Sequence, residues 1–323
     1  MYPKNPRLLL SKLLATAALA APVVAMAAYP ERPITLIVPF SAGAGTDITA
    51  RTVAQCMEQQ MHGASIVVLN RPGASGDIGL SAIAQAAPDG YTLGIVNTPG
   101  VASIPIERTT KWSLNSFDFL GNVAEAPATI SVHADSPVRT IADLVKAAKA
   151  APGTVSVGTQ GVGSAGHIAM LQLEKAAGIS LAAVPFQGTA PARTALLGKV
   201  IESTTANIDE AVGFRNGSPW RILGVMSDQR SPVAPEVPTF KEAGYDILGG
   251  SMRGFAGPRG MPVDVVAKLS SAIRTCSDDP VFKERAAKSF LPIRYLAPAD
   301  YLRSLRQLDA GLRDLWKTRP WNQ

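Results

Sequence analysis

The chain has 323 residues, 46% of them apolar, and a formal net charge of +6, half of which comes from Lys4, Arg7 and Lys12 at the amino terminus. The remaining excess, without a Lys/Arg block or basic and aromatic residues interleaved, gives no case for nucleic acid and only mildly favours small anions. Two cysteines (Cys56, Cys276) and three histidines (His62, His133, His167), none at metal spacing, exclude a zinc site.

Residues 1–27 place those three cations ahead of Leu13-Leu14-Ala-Thr-Ala-Ala-Leu19 and end in Ala25-Met26-Ala27. Basic segment, short apolar core and small-x-small cleavage site make a secretory signal peptide, so the mature chain is expected in the periplasm. The apolar core is too short to span a bilayer comfortably, and no Cys follows it for lipid attachment. The rest is long enough for two domains with their own cores. An oxidising compartment permits one disulfide, but two buried thiols on separate helices is the preferred reading, because sequence does not show proximity.

Beyond the leader, strand-like runs at 34–38, 66–69, 92–96, 128–132, 155–158 and 182–185 alternate with helical stretches. In 48–61, Ala50, Val53, Ala54, Met57 and Met61 share one face, and 141–150 opens on the capping box Thr140-Ile-Ala-Asp143. The alternation argues for an α/β fold with mixed, mostly parallel sheets. The Pro/Gly-rich stretches 70–76, 97–105 and 254–262 read as structured loops. Ligands of such folds bind in loops at the carboxyl ends of strands.

Two of those loops are rich in glycine. Pro39-Phe40-Ser41-Ala-Gly43-Ala-Gly45-Thr46-Asp47 joins a strand to a helix whose unpaired amides and dipole favour an anion. Phosphate-loop chemistry is disfavoured, since Gly45 is followed by Thr46 rather than lysine. The second cluster, Gly158-Thr159-Gln-Gly161-Val-Gly163-Ser164-Ala-Gly166-His167, contains a formal dinucleotide pattern, but the next strand ends at Pro185-Phe186-Gln187 without an acid for the ribose. A serine-hydrolase elbow around Ser164 would need glycine where Val162 stands. What remains is a second cradle of amides and one hydroxyl. No cofactor or metal is implied, and His167 reads more readily as an orienting or core histidine than as a catalytic one. Two such cradles facing each other suit a ligand with a carboxylate at each end.

The blocks Tyr29-Pro-Glu-Arg-Pro33, Pro39-Phe-Ser-Ala-Gly43-Ala-Gly-Thr-Asp47, Asn70-Arg-Pro-Gly73-Ala-Ser-Gly76, Pro88-Asp-Gly90-Tyr, Val184-Pro-Phe-Gln-Gly188-Thr-Ala-Pro191 and Pro235-Glu-Val-Pro-Thr239 occur in order along the whole mature chain. Together they resemble the Bug family, the substrate-binding receptors of tripartite tricarboxylate transporters. The resemblance implies a two-lobed periplasmic binding protein that closes like a Venus flytrap, with lobe 1 at 29–124 and 251–323 and lobe 2 at 125–250. It implies crossings near 124–127 and 249–252, a small organic carboxylate as ligand, large and small integral-membrane transporter subunits as partners, a monomer, and no enzymatic activity. A sensor that presents its ligand to a signalling membrane protein uses the same fold; an exported hydrolase is the remaining alternative.

By the same resemblance Phe40 walls the pocket, Ser41, Gly45, Thr46 and Asp47 form the lobe 1 cradle, and Asn97 and Thr98 add a second lobe 1 loop. Asp47 either caps its helix or accepts hydrogen bonds from a ligand or pocket water. Thr159, Ser164 and His167 belong to one lobe 2 loop, and Phe186, Gly188, Thr189 and Ala190 to the next. Asn207 and Asp209 lie where specificity is tuned. The family's usual tyrosine and lysine in the Val-Pro-Tyr-Lys-Gly block are Phe186 and Gln187 here, and its Trp-x-Gly is Met252-Arg253-Gly254. The less cationic wall suits a longer or aromatic carboxylate, unless Arg253 points inward and compensates.

Overall fold

The structure, a computed structural model, describes residues 29–43, 45–61 and 63–322, so the expected signal peptide and His62 lie outside the described residues. The chain opens with β1 (Ile34–Val38), α1 (Gly45–Gln60), β2 (Ile66–Asn70), α2 (Asp77–Ala84), β3 (Thr92–Asn97) and α3 (Gly100–Glu107). β1 lies between β2 and β3, parallel to both. Its β-branched run fits a strand buried on both faces, and α1 covers it with Ala50, Val53, Ala54 and Met57.

β4 (Phe117–His133) is a strand of 17 residues. After it come α4 (Ile141–Ala150), β5 (Ser156–Thr159), α5 (Ala165–Ala177), β6 (Ala182–Pro185), α6 (Thr189–Leu197), β7 (Ser203–Asn207), α7 (Ile208–Arg215) and β8 (Trp220–Val225). Here β5 lies parallel to β6 and β7. Helix starts follow their side chains: Thr140 and Asp143 form the expected box on α4, and Ser164 accepts the His167 amide at α5.

The last third is β9 (Gly250–Pro258), α8 (Val263–Asp278), α9 (Pro280–Lys288), β10 (Ile293–Leu296) and α10 (Pro298–Thr318). The strand order is β2-β1-β3-β9-β4-β7-β5-β6, with β8 and β10 also paired to β4. The outer groups are parallel, whereas every pairing made by β4 and β9 is antiparallel. The sheet is therefore mixed, two parallel groups joined by an antiparallel centre.

Of residues 254–262, which their glycines suggested were a loop, only 259–262 form one: 250–258 are a central strand. Side chains are absent where neighbours press closest, since a Cβ on Gly254 would enter the Tyr301 ring and one on Gly257 would meet the Met261 sulfur. The stretch 97–105 is likewise largely α3, whose Val101, Ala102 and Ile104 are buried. At the β4–β9 junction Pro127 pairs with Gly250, whose φ of +138° lies in the region open to glycine and whose missing Cβ leaves room for the Ala126 carbonyl.

Cys56 and Cys276 are bonded to one another, which corrects the preference for two separate thiols. α1 and α8 pack side by side and bring the two Cα atoms to 5.7 Å across 220 residues of sequence. α10 carries apolar residues at helical spacing. Its Tyr301 and Leu305 pack with α2, α3 and Phe119, while Leu312, Leu315 and the following Trp321 pack with Ile130 and Ile168 in another core.

Candidate functional site

Strand register places the loops. Asn97, the last residue of β3, pairs with Arg253 on β9, and Arg253 pairs with Ala124 on β4. Asn207, the last residue of β7, pairs with Ala128. The carboxyl ends of parallel strands from the two outer groups thus reach β4 four residues apart, about 13 Å along an extended strand.

On the first side, the Asn97 amide donates to the Thr46 hydroxyl at 2.6 Å. Thr98 follows β9, its N–H donating to the Met252 carbonyl and its hydroxyl accepting the Met252 N–H at 2.7 Å. Asp47 is turned into its own loop. Its carboxylate accepts from the Gly43 N–H at 2.8 Å, from Asn70 at 2.9 Å and from Arg51 at 3.0 Å. Burial works to raise its pKa, but these donors outweigh it and hold the carboxyl below its usual range. Asn70 also donates to the Phe40 carbonyl, so the turn is shaped from within. Phe40 is half-buried against the first core and Ser41 is exposed.

On the second side, Ser164 is occupied as the α5 cap, and His167 Nδ1 accepts the Gly163 N–H at 3.2 Å. Burial lowers the His167 pKa. The imidazole thus braces the glycine turn, and Gln160 does the same by donating to the Thr205 carbonyl and accepting the Gly166 N–H. Thr159 is buried with its hydroxyl unpartnered. Phe186 packs on the fourth core, Gly188 precedes α6, which opens with Thr189 and Ala190, and Thr189 donates to Glu210 at 3.1 Å. Asn207 accepts from Ser251 of β9 at 3.3 Å.

The two sides meet at Arg253. It is 1% exposed, and its Nη1 donates to Asp209 Oδ2 at 2.6 Å. A Cβ placed on Gly45 would lie 2.8 Å from its Nη2, so the guanidinium rests against the first turn of α1. Burial disfavours its charge, but Asp209 and Glu210 outweigh that and raise its pKa. Beside them Glu210 accepts the Asn207 N–H at 3.3 Å, and it is pushed up to about 7, first by burial and then by the Asp209 carboxylate. Arg253 Nε, Asp209 Oδ1 and Asn97 Oδ1 are buried without partners.

The structure thus gathers Gly45, Thr46, Asn97 and Asp209 around Arg253. Sequence reasoning named the first four and made Arg253 conditional on its direction; it points inward. Gln160 and Glu210 were missed, because their roles come from bonds to residues distant in sequence or on the next loop. Among the described residues no His/Cys/Asp/Glu cluster could hold a metal ion, and no helix is long and apolar enough to cross a membrane.

Two α/β halves, joined through the β4–β9 pair with their strand-end loops converging on a buried ion pair, make this a two-lobed periplasmic binding protein. Residues 49–305 match the model of the tripartite tricarboxylate transporter family receptor, and the chain belongs to that family. It is 32% identical over 292 residues to a UPF0065 protein in the gbd 5' region of Cupriavidus necator, covering 89% of this chain and 88% of that one. Among solved structures, R. palustris Rpa4515 with adipate superposes with a TM-score of 0.83 at 28% identity, covering 90% of this chain and 98% of that one. MatC from Rhodopseudomonas palustris with bound malate superposes with a TM-score of 0.80 at 26% identity, covering 89% and 99%.

Proposed function

We propose that this receptor captures a small organic carboxylate between lobe 1 (29–124 and 251–323) and lobe 2 (125–250), and delivers it as a monomer to the large and small membrane subunits of a tripartite tricarboxylate-type transporter. The observation that carries the reading is the pairing of Arg253 with the start of α1. The helix start and a guanidinium whose Nε is still unpartnered both favour an anion, and a carboxylate alongside can reach both. Adipate and malate in the two solved relatives are of this class. Thr159, Ser164 and the loop from Phe186 to Ala190 supply the far end, and 124–127 with 249–252, which run side by side, form the hinge.

Hydrolysis is disfavoured by geometry. The Ser164 hydroxyl accepts a backbone N–H, and the His167 Nδ1 is taken by Gly163. The test is a thermal-shift screen of C4–C8 dicarboxylates, acidic amino acids, aromatic carboxylates, citrate, monocarboxylates, sugars and cationic amino acids. A true ligand at a hundred times its Kd adds about 2.7 kcal/mol of stability, and a dicarboxylate is expected to exceed a monocarboxylate of equal length. Stabilisation by sugars or cationic amino acids, with none by any carboxylate, overturns the reading.

A further inference from the structure

The Arg253–Asp209 pair is half-satisfied. Taking two charges out of water is costly, and one bond of 2.6 Å offsets only part of that cost unless the remaining donors and acceptors find partners. On the guanidinium Nε, a donor, is buried and unmet. On the facing carboxylate the unmet atom is Oδ1, an acceptor, and the cross-strand neighbour of Arg253 contributes a second buried acceptor, Asn97 Oδ1. A plain carboxylate answers the donor and leaves both acceptors empty, next to an anion they repel. A ligand that also carries a hydrogen-bond donor beside its carboxylate answers both kinds of group at once.

We propose that Asp209 is a specificity-determining residue whose free oxygen, with Asn97, selects a carboxylate bearing a hydroxyl or ammonium group on the adjacent carbon, while Arg253 and the first turn of α1 hold the carboxylate. This rests on the receptor reading above and adds the second group that the ligand must carry. The site is then built against the unsubstituted acid, because binding it buries two acceptors without partners.

The experiment is isothermal titration of the mature protein with malate, aspartate, succinate and adipate, the first three sharing a four-carbon diacid backbone. Malate or aspartate is expected to bind at least about tenfold tighter than succinate, as for a site built to bond a ligand donor; which of the two is tighter tells hydroxyl from ammonium. Asp209→Asn leaves an oxygen for Arg253 and turns the free acceptor into a donor, so the preference is expected to vanish. Should that variant not fold, R253M/D209L replaces the pair by apolar side chains, a change that buried pairs commonly tolerate; it is expected to bind all four acids weakly and without preference.

Succinate binding as tightly as both malate and aspartate, or adipate binding alone, overturns the inference and leaves the receptor reading standing. A preference that survives in whichever variant folds also overturns it. If none of the four acids binds the wild-type protein while another carboxylate of the thermal-shift screen does, the inference falls and the receptor reading stands; if no carboxylate binds, both fall.

Discussion

Ser103 on α3 donates its hydroxyl hydrogen to the Gly163 carbonyl, 3.2 Å away in the turn after β5, and both groups are buried. In the proposed lobe division this bond and the Arg253–Asp209 pair both link the two lobes. Opening breaks both. Small-angle scattering is expected to show the radius of gyration falling when the protein is saturated with its ligand. Ser103→Ala is expected to weaken binding by about 2–10-fold, the worth of one net hydrogen bond. An unchanged radius with proven binding counts against hinge closure.

A β-branched residue at position 45 meets Arg253. Gly45→Val puts its Cβ 2.8 Å from Nη2, and the guanidinium must leave the α1 terminus or break from Asp209. The first atom that such a side chain encounters is the cation beside the backbone amides of the turn. Affinity is expected to fall by about a hundredfold or more, the loss of a buried charge-assisted contact, with the circular-dichroism spectrum unchanged. Retained affinity would move the site elsewhere.

Cys56→Ser with Cys276→Ser, or reduction of the wild-type protein, is expected to cost about 2–4 kcal/mol. At roughly 2–4 °C per kcal/mol for a domain of this size, Tm falls by several degrees. The check is calorimetry with and without reductant, and equal melting temperatures would show that the bond contributes nothing to stability.

Glu210 gives the protein a pH dependence with a definite sign. Its pKa rises from an ordinary 4.5 to about 7 on folding, so the folded state binds the extra proton between those values. Its stabilising contribution is full below about pH 4.5 and is lost as pH rises through 7. The lowered pKa of His167 acts oppositely, gaining stability as pH rises toward 6.5, and Asp47 matters only under more acid conditions. Comparing urea midpoints of wild type and Glu210→Gln at pH 5 and pH 8 isolates the carboxylate, and the variant is expected to gain on the wild type at pH 8. Parallel behaviour of the two proteins would refute the assignment.

Local pattern revealed the outer strands and the helices that cover them, because β-branched runs and helical spacing are properties of neighbouring residues. β4 was visible only at 128–132, since Gly121, Asn122, Glu125 and Pro127 give the part before it a loop-like composition. β9 was hidden by glycines that tertiary neighbours require. The site divided in the same way: Gly45 and Thr46 are marked by their turn, and Ser164 by its cap. The contact that centres the site joins Arg253 to Asp209 across 44 residues, and nothing in either local sequence marks the other as its partner.

The Cys56–Cys276 bond turns most of the chain into a covalent ring. All of the proposed lobe 2 lies inside that ring, with both of its connecting strands. A protease that cuts once in any loop between the two cysteines therefore opens the ring without releasing a fragment, and the nicked molecule separates into two pieces only after reduction. A load applied to the two chain ends passes directly from α1 to α8 and leaves the enclosed lobe outside its path.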